Sequence, residues 1–363
     1  MRTTTITATA FTTAAIKAAA GLMAGAATVG GGAAQAQTMT GYHIGNSLTW
    51  DARPFAMGDY AAANSGATLS TGYHINCSRS LNEIWASPGQ TCVDAVPEFG
   101  LFESALATME LDYVTLQPFP AGNATLGSDT QVIIDMQSLL AEQPANADTP
   151  IYIYQAWGAP NFMRGPAFHE PVENDDATVM SFAQNYFDHL YDRVSAAVPA
   201  EVMLIPAGRV IDTIADSIER DEIEGVSTIW GGFYRDQIHM SYELGRCVAS
   251  ATVASVVLNQ PPFGMHETWF EVYDDEILYP VETYIQLEWI IWDVISSDPR
   301  TGVSPCLADT NRDGGVDAAD FNAWVLAFNR GWSAADQNGD GAVNPADFNA
   351  WVLNTRIARE EGC

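Results

Sequence analysis

The chain has 363 residues, with 15 basic side chains against 45 acidic ones and a formal net charge of −30. Such a charge opposes binding to nucleic acid or to anionic membranes. Lys17 is the only lysine, so Schiff-base lysines, Ser–Lys dyads and a phosphate-loop lysine are excluded beyond it.

Arg2, a small-residue apolar stretch over about 14–29, and Ala34-Gln35-Ala36 follow the pattern of a secretory signal. Residues 1–36 are therefore expected to be a signal peptide, and the mature protein to be secreted or held at a cell surface. Removal of that segment leaves 13 arginines and 45 acids, a net charge of −32. No later stretch approaches the ~20 apolar residues of a membrane span. Disulfides persist in exported chains, and Cys77 and Cys92 flank a loop in which they are placed to pair. Cys247 lies in an apolar helical stretch and is expected to be a buried free thiol.

Residues 38–299 are expected to form one large α/β domain. Strands are predicted over 40–45, 68–75, 113–117, 151–155 and 202–206. Helices are predicted over 54–64, 99–109, 131–142, 179–198, 210–222 and 242–258, with another from about 282. Apolar strands alternating with helices imply a parallel sheet between helical layers. The functional crevice of such a sheet lies at the carboxyl ends of its strands. Gly45-Asn46-Ser47, Gln117-Pro118 and Gln155-Ala156-Trp157 fall there. Residues 300–305 read as a short linker.

Two stretches near the C-terminus repeat 27 positions apart and carry the oxygen-ligand spacing of an EF-hand-type calcium loop. The first offers Asp309, Asn311, Asp313, the Gly315 carbonyl, Asp317 and Asp320. The second offers Asp336, Asn338, Asp340, the Ala342 carbonyl, Asn344 and Asp347. Gly314 and Gly341 supply the sharp turn at the sixth position. Each loop runs into Phe-Asn-Ala-Trp-Val-Leu, whose Phe, Trp and Val form one apolar helical face. Over 306–363 this duplicated loop and helix resembles a type I dockerin. That resemblance implies a small all-α module with two structural calcium ions, docking to a cohesin-like receptor or cell-surface scaffold. Cys306 and the Gly362-Cys363 ending resemble the Gly-Cys-ending variant. The bridge so implied, Cys306–Cys363, contributes roughly 4 kcal/mol on the loop-entropy account.

The first strand ends in Gly45-Asn46-Ser47-Leu48, exposing a serine where the chain turns into a helix, a placement suited to a nucleophile. Asp236-Gln237-Ile238-His239 precedes the last long helix of the domain. An Asp three before a His can accept from Nδ1–H and leave Nε2 as base. Together these segments resemble the SGNH/GDSL hydrolases over about 40–260. The resemblance implies a flavodoxin-like three-layer α/β/α sandwich. It also implies Ser47 as nucleophile, His239 as base, Asp236 as its orienting carboxylate, and no catalytic cofactor. The chain departs from that pattern at three places. Asn46 stands where the family has Asp. No Gly-x-Asn-Asp block follows the third strand, where Gln117 is the candidate oxyanion donor. Asn76-Cys77-Ser78-Arg79-Ser80 has no glycine, leaving Ser78 as the candidate backbone donor.

His43 and His74 read as packed core groups, and His169 as a group of a pocket-lining loop. Trp157, Phe162, Trp230 and Phe233 flank the site; aromatic faces there suit sugar rings, although ordinary loop packing is the plainer expectation. The function expected is a secreted serine esterase acting on an acylated carbohydrate, with deacetylation favoured. The alternatives are a non-catalytic glycan-binding surface protein and a lipid or thioester hydrolase.

Overall fold

A computed structural model describes residues 38–65, 68–122, 124–169, 183–273, 278–303, 306–311, 315–331, 333–338 and 342–361. The expected signal peptide over 1–36, the loop residues Asp313 and Asp340, and Cys363 lie outside them.

Five strands, β1 (Thr38–Gly45), β2 (Thr68–Ile75), β3 (Tyr113–Leu116), β4 (Ile151–Tyr154) and β5 (Val202–Ile205), form one sheet. Its order is β2-β1-β3-β4-β5, and every pairing is parallel. The alternation along the strands explains the layering. In β4, Ile151 and Ile153 enter one apolar cluster, while Tyr152 and Tyr154 enter the other. A strand buried on both faces must be covered on both faces. The helices that follow β1 and β2 are α1 (Ser47–Asp51), α2 (Met57–Ser65), α3 (Leu81–Ala86) and α4 (Phe102–Thr108). Later come α5 (Leu126–Leu140), α6 (Gln184–Ala197), α7 (Ala207–Glu219), α8 (Ile229–Phe233) and α9 (Gly245–Leu258). The domain continues into α10 (Met265–Tyr273) and α11 (Val281–Ser297). Helices α3 to α6 pack on the face shown by Ile151. Helices α2, α7, α9, α10 and α11 pack on the face shown by Tyr152. The result is an α/β sandwich. The strand order reverses between β1 and β3, so their carboxyl ends border the crevice.

Several helix boundaries differ from the sequence expectation. α5 starts at Leu126 because Thr125 caps it, exchanging hydrogen bonds with Ser128. α9 starts at Gly245 because Ser241 Oγ accepts from the Gly245 N–H and holds the preceding turn. The stretch expected as a linker packs, up to Val303, as part of the main domain: Thr301 is buried and donates to the Ile295 carbonyl. Asp298, just before that stretch, pairs with Arg209 and Arg300. The Cys77–Cys92 disulfide is formed, and Cys247 is a buried free thiol. Cys306 is disulfide-bonded. Among the described residues no helix is long and apolar enough to cross a membrane.

The C-terminal repeats contain α12 (Ala318–Arg330) and α13 (Pro345–Glu361). Their small core is Trp324, Ala327, Ala335 and Trp351. Phe321 meets Trp351 at 5.2 Å between ring centroids, and Phe348 meets Trp324 at 5.6 Å. These are the same contact made twice, as expected of two repeats packed about a local two-fold.

Candidate active site

The nucleophile turn is built at the carboxyl end of β1. Asn46 is extended and caps α1, its Oδ1 accepting from Leu48 N–H at 3.0 Å. Its Nδ2 donates to the Arg79 carbonyl at 3.1 Å, tying the Asn76–Arg79 turn to the serine turn. Ser47 is the first residue of α1, so its own N–H has no intrahelical acceptor.

His239 lies in the loop between α8 and α9. Arg235 N–H donates to the His239 carbonyl at 3.0 Å, and an isolated bridge joins Tyr234 to Met240. Asp236 Oδ1 accepts from the N–H groups of Ile238 (2.9 Å) and His239 (2.8 Å). The His239 Nδ1 sits 2.9 Å from Asp236 Oδ2, and its Nε2 sits 2.9 Å from Ser47 Oγ. With a carboxylate on Nδ1, the ring proton belongs there, and Nε2 accepts from the serine hydroxyl. Burial acts to raise the Asp236 carboxyl. The two backbone N–H groups and the His239 ring outweigh it and hold the carboxyl down to about 2. It is therefore ionised across the neutral range. Ser47, Asp236 and His239 are thus brought together as expected. Trp157 fixes the loop from β4, its Nε1 donating to the Ile238 carbonyl at 2.7 Å.

Gln117 arrives beside Ser47 but turns the wrong group toward it for an oxyanion donor. Its Oε1 accepts from Asn46 N–H (3.1 Å), Thr49 N–H (3.3 Å) and Thr49 Oγ1 (2.8 Å), and its Nε2 donates to the Pro118 carbonyl (3.3 Å). Two backbone N–H groups aimed at one end of an amide fix that end as oxygen. Gln117 is thus a buried brace under the nucleophile turn. Ser78 is exposed, at φ +60°, in the turn closed by Arg79 N–H to the Asn76 carbonyl. A serine occupies the left-handed conformation glycine favours.

His43 is buried between Thr115 Oγ1 (2.7 Å) and Tyr113 OH (3.1 Å), and burial lowers its pKa to about 3. His74 is likewise buried, and burial lowers its pKa although its bond to the Gln90 carbonyl acts to raise it. Both are core groups. His169 is exposed and 3.8 Å from Asp212. Trp157 and Phe233 are fully buried, whereas Trp230 is 40 % exposed.

One cluster went unrecognised in the sequence. Asp51, fully buried at the end of α1, accepts from Arg235, from Arg246 and from Met240 N–H. The signal for it was Arg246, a cation inside an otherwise apolar helix, which needs a buried anion.

In the two segments expected to bind calcium, the twelfth-position carboxylates are both fully buried. Asp320 accepts from Asn311 N–H (3.1 Å) and Asp317 N–H (2.7 Å). Asp347 accepts from Gln337 N–H (3.0 Å) and Asn344 N–H (2.8 Å). Asp309 and Asp336 are buried too. Recessed carboxylates with amide and carbonyl oxygens suit a hard dication. Among the described residues no three or more His, Cys, Asp or Glu side chains form a metal-holding group.

No protein-family profile matches the chain, and no curated protein matches it. The chain is similar to a solved DUF4886 family protein from Bacteroides uniformis, with 16 % identity and a TM-score of 0.44, over 68 % of this chain and 99 % of that one.

Proposed function

We propose that the chain is a secreted serine ester hydrolase that resembles the SGNH/GDSL enzymes, with a flavodoxin-like α/β/α domain. One observation carries this reading: Ser47 Oγ and Asp236 lie 2.9 Å from opposite nitrogens of His239. In the reaction, Ser47 Oγ attacks the ester carbonyl as its proton passes to His239 Nε2. Ionised Asp236 faces the imidazolium so formed and holds its ring. The tetrahedral oxyanion is met by the Ser47 N–H at the start of α1 and by a backbone N–H of the Ser78 turn. His239 returns the proton to the leaving alcohol. A water, deprotonated by His239, then releases the acid from Ser47.

The substrate class is an acylated carbohydrate. A groove of about 250 Å³, lined by Asn161, Arg164, Glu219, Thr228 and exposed Trp230 but by none of Ser47, Asp236 and His239, offers a surface for the sugar. It lies between the segment that follows Trp157 and the segment that precedes the His239 loop. An aromatic face with polar neighbours suits a sugar ring.

The C-terminal repeats act as a dockerin-like anchor that binds two calcium ions in structural loops. Phe348, Val352, Leu353 and Ile357 are exposed on α13, and an apolar strip of this kind suits a cohesin-like receptor.

Turnover of p-nitrophenyl acetate is the test. Ser47→Ala should cut kcat/KM by at least about 10³-fold. Equal rates for the two proteins, or no turnover by the wild type together with glycan binding, would instead make this a binding protein on a hydrolase scaffold.

A further inference from the structure

The Ser47–His239 contact joins side chains 192 positions apart. One hydrogen bond between two partly exposed side chains does not hold two chain segments in register, because each carries rotamer and backbone freedom that the bond must overcome. The peptide groups on both sides of His239 show what does. On the N-terminal side, the Ile238 carbonyl is held by Trp157 from beyond β4. On the C-terminal side, Met240 N–H donates to Asp51 Oδ2 at 2.9 Å.

Asp51 belongs to the same five-residue helix as Ser47 and lies one turn further along it, on the same side. Its Oδ1 accepts from Arg235 Nη1 at 3.0 Å and from Arg246 Nε at 2.8 Å. Arg235 Nη1 also donates to the Met240 carbonyl. Both backbone polar groups of Met240, the residue after His239, are therefore gripped by one ion pair rooted in the nucleophile's helix. The Tyr242 ring lies over the cluster, 4.4 Å from the Arg246 guanidinium carbon and 5.3 Å from that of Arg235. Ser250 Oγ donates to the Ala52 carbonyl at 2.9 Å, joining α9 to the end of α1. A buried carboxylate is costly unless its charge and lone pairs are met. Here three N–H groups from three residues meet them, with Arg246 Nη2 also 2.7 Å from Oδ1, and the outcome is a rigid joint.

We infer that Asp51 is a positioning residue that sets the Ser47–His239 distance by clamping Met240 to the nucleophile helix, with Arg235 as the second jaw. The inference rests on the hydrolase reading above. Asp51 touches neither substrate nor reacting atoms, so its loss acts through His239 and falls on kcat rather than KM.

The experiment measures steady-state ester hydrolysis and His239 ring resonances in the full chain for Asp51→Asn and Arg235→Gln, each alone and combined with His239→Ala. Asp51→Asn lowers kcat by about 10- to 100-fold with KM nearly unchanged, as expected for a displacement of about 1 Å at a reacting group. It also shifts the His239 resonances, a readout that does not require turnover. In the His239→Ala background the same substitution adds no further loss, since the group through which it acts is gone. Arg235→Gln leaves the Asp51–Arg246 pair intact and lowers kcat in the same direction by a smaller factor. It decides the matter if Asp51→Asn does not fold. A folded Asp51→Asn or Arg235→Gln protein with wild-type kcat and unshifted His239 resonances overturns the proposal. So does an equal loss in the His239→Ala background. A wild type that hydrolyses no ester overturns the hydrolase reading instead, while the resonance shift still reports on the clamp.

Discussion

Gly45→Ala is the sharpest perturbation of the nucleophile turn. Gly45 does not lie among the positive-φ positions, so its glycine is explained by close approach and not by backbone freedom. A Cβ there would lie 2.1 Å from Thr49 Oγ1 and 2.8 Å from both Cβ and Oε1 of Gln117. Thr49 and Gln117 are buried and have little room to retreat. If Thr49 rotates, the 2.8 Å bond to Gln117 Oε1 is lost. If Gln117 moves, the N–H groups of Asn46 and Thr49 lose their acceptor as well. Overpacking costs about 1–3 kcal/mol, and each orphaned buried donor adds about 1 kcal/mol or more. The substitution should therefore destabilise by about 2–5 kcal/mol, read as a fall in urea midpoint at constant slope. It should also lower the kcat of the proposed ester hydrolysis, since Asn46 carries Ser47. Thr49→Ala removes the nearest clashing atom, so the double variant should be less damaged than the two single losses added together. A Gly45→Ala protein within about 0.5 kcal/mol of wild type, or strict additivity in the double variant, would refute this account of the turn.

Asp129 is fully buried against Tyr186 and Asn82. Burial, opposed by the Tyr186 hydroxyl, raises its pKa from 3.8 to about 7. A folded pKa above the unfolded one favours the folded state below the unfolded value and loses that contribution as pH rises through about 7. Asp129→Asn should therefore gain stability on wild type between about pH 4 and pH 7; a gap constant with pH in thermal unfolding would contradict this. Ser78→Gly should raise stability by up to about 1 kcal/mol by relieving the left-handed serine, and a lowered urea midpoint would count against it. Chelation of calcium should speed amide exchange in α12 and α13 but not in the parallel sheet, and identical exchange with and without chelator would remove the proposed metal from the C-terminal repeats.

The sheet was legible because β3, β4 and β5 are short runs buried on both faces, and all five predicted strands are present. The Ser47–His239–Asp236 arrangement was legible because Asp236 and His239 are three positions apart and Ser47 follows the first strand at the turn into α1. What the sequence hid was the far end of each long-range bond. Gln117 was correctly placed at the crevice, yet its role reversed, because nothing in a sequence says which end of an amide meets the Asn46 and Thr49 N–H groups. The joint made by Asp51 with Arg235 and Arg246 spans 184 and 195 positions, beyond any periodicity. Of the four aromatics read as flanking the site, Trp157 and Phe233 went to the core. The indole N–H of Trp157 serves the His239 loop instead.

The measurement that bears most directly on the central claim is covalent labelling with an organophosphonyl fluoride, followed by peptide mass mapping. A serine hydroxyl activated by an imidazole displaces fluoride and keeps the phosphonyl group. The account expects one adduct per chain, on Ser47, and its loss in His239→Ala. An unlabelled folded wild type, or an adduct unaffected by His239→Ala, would contradict it.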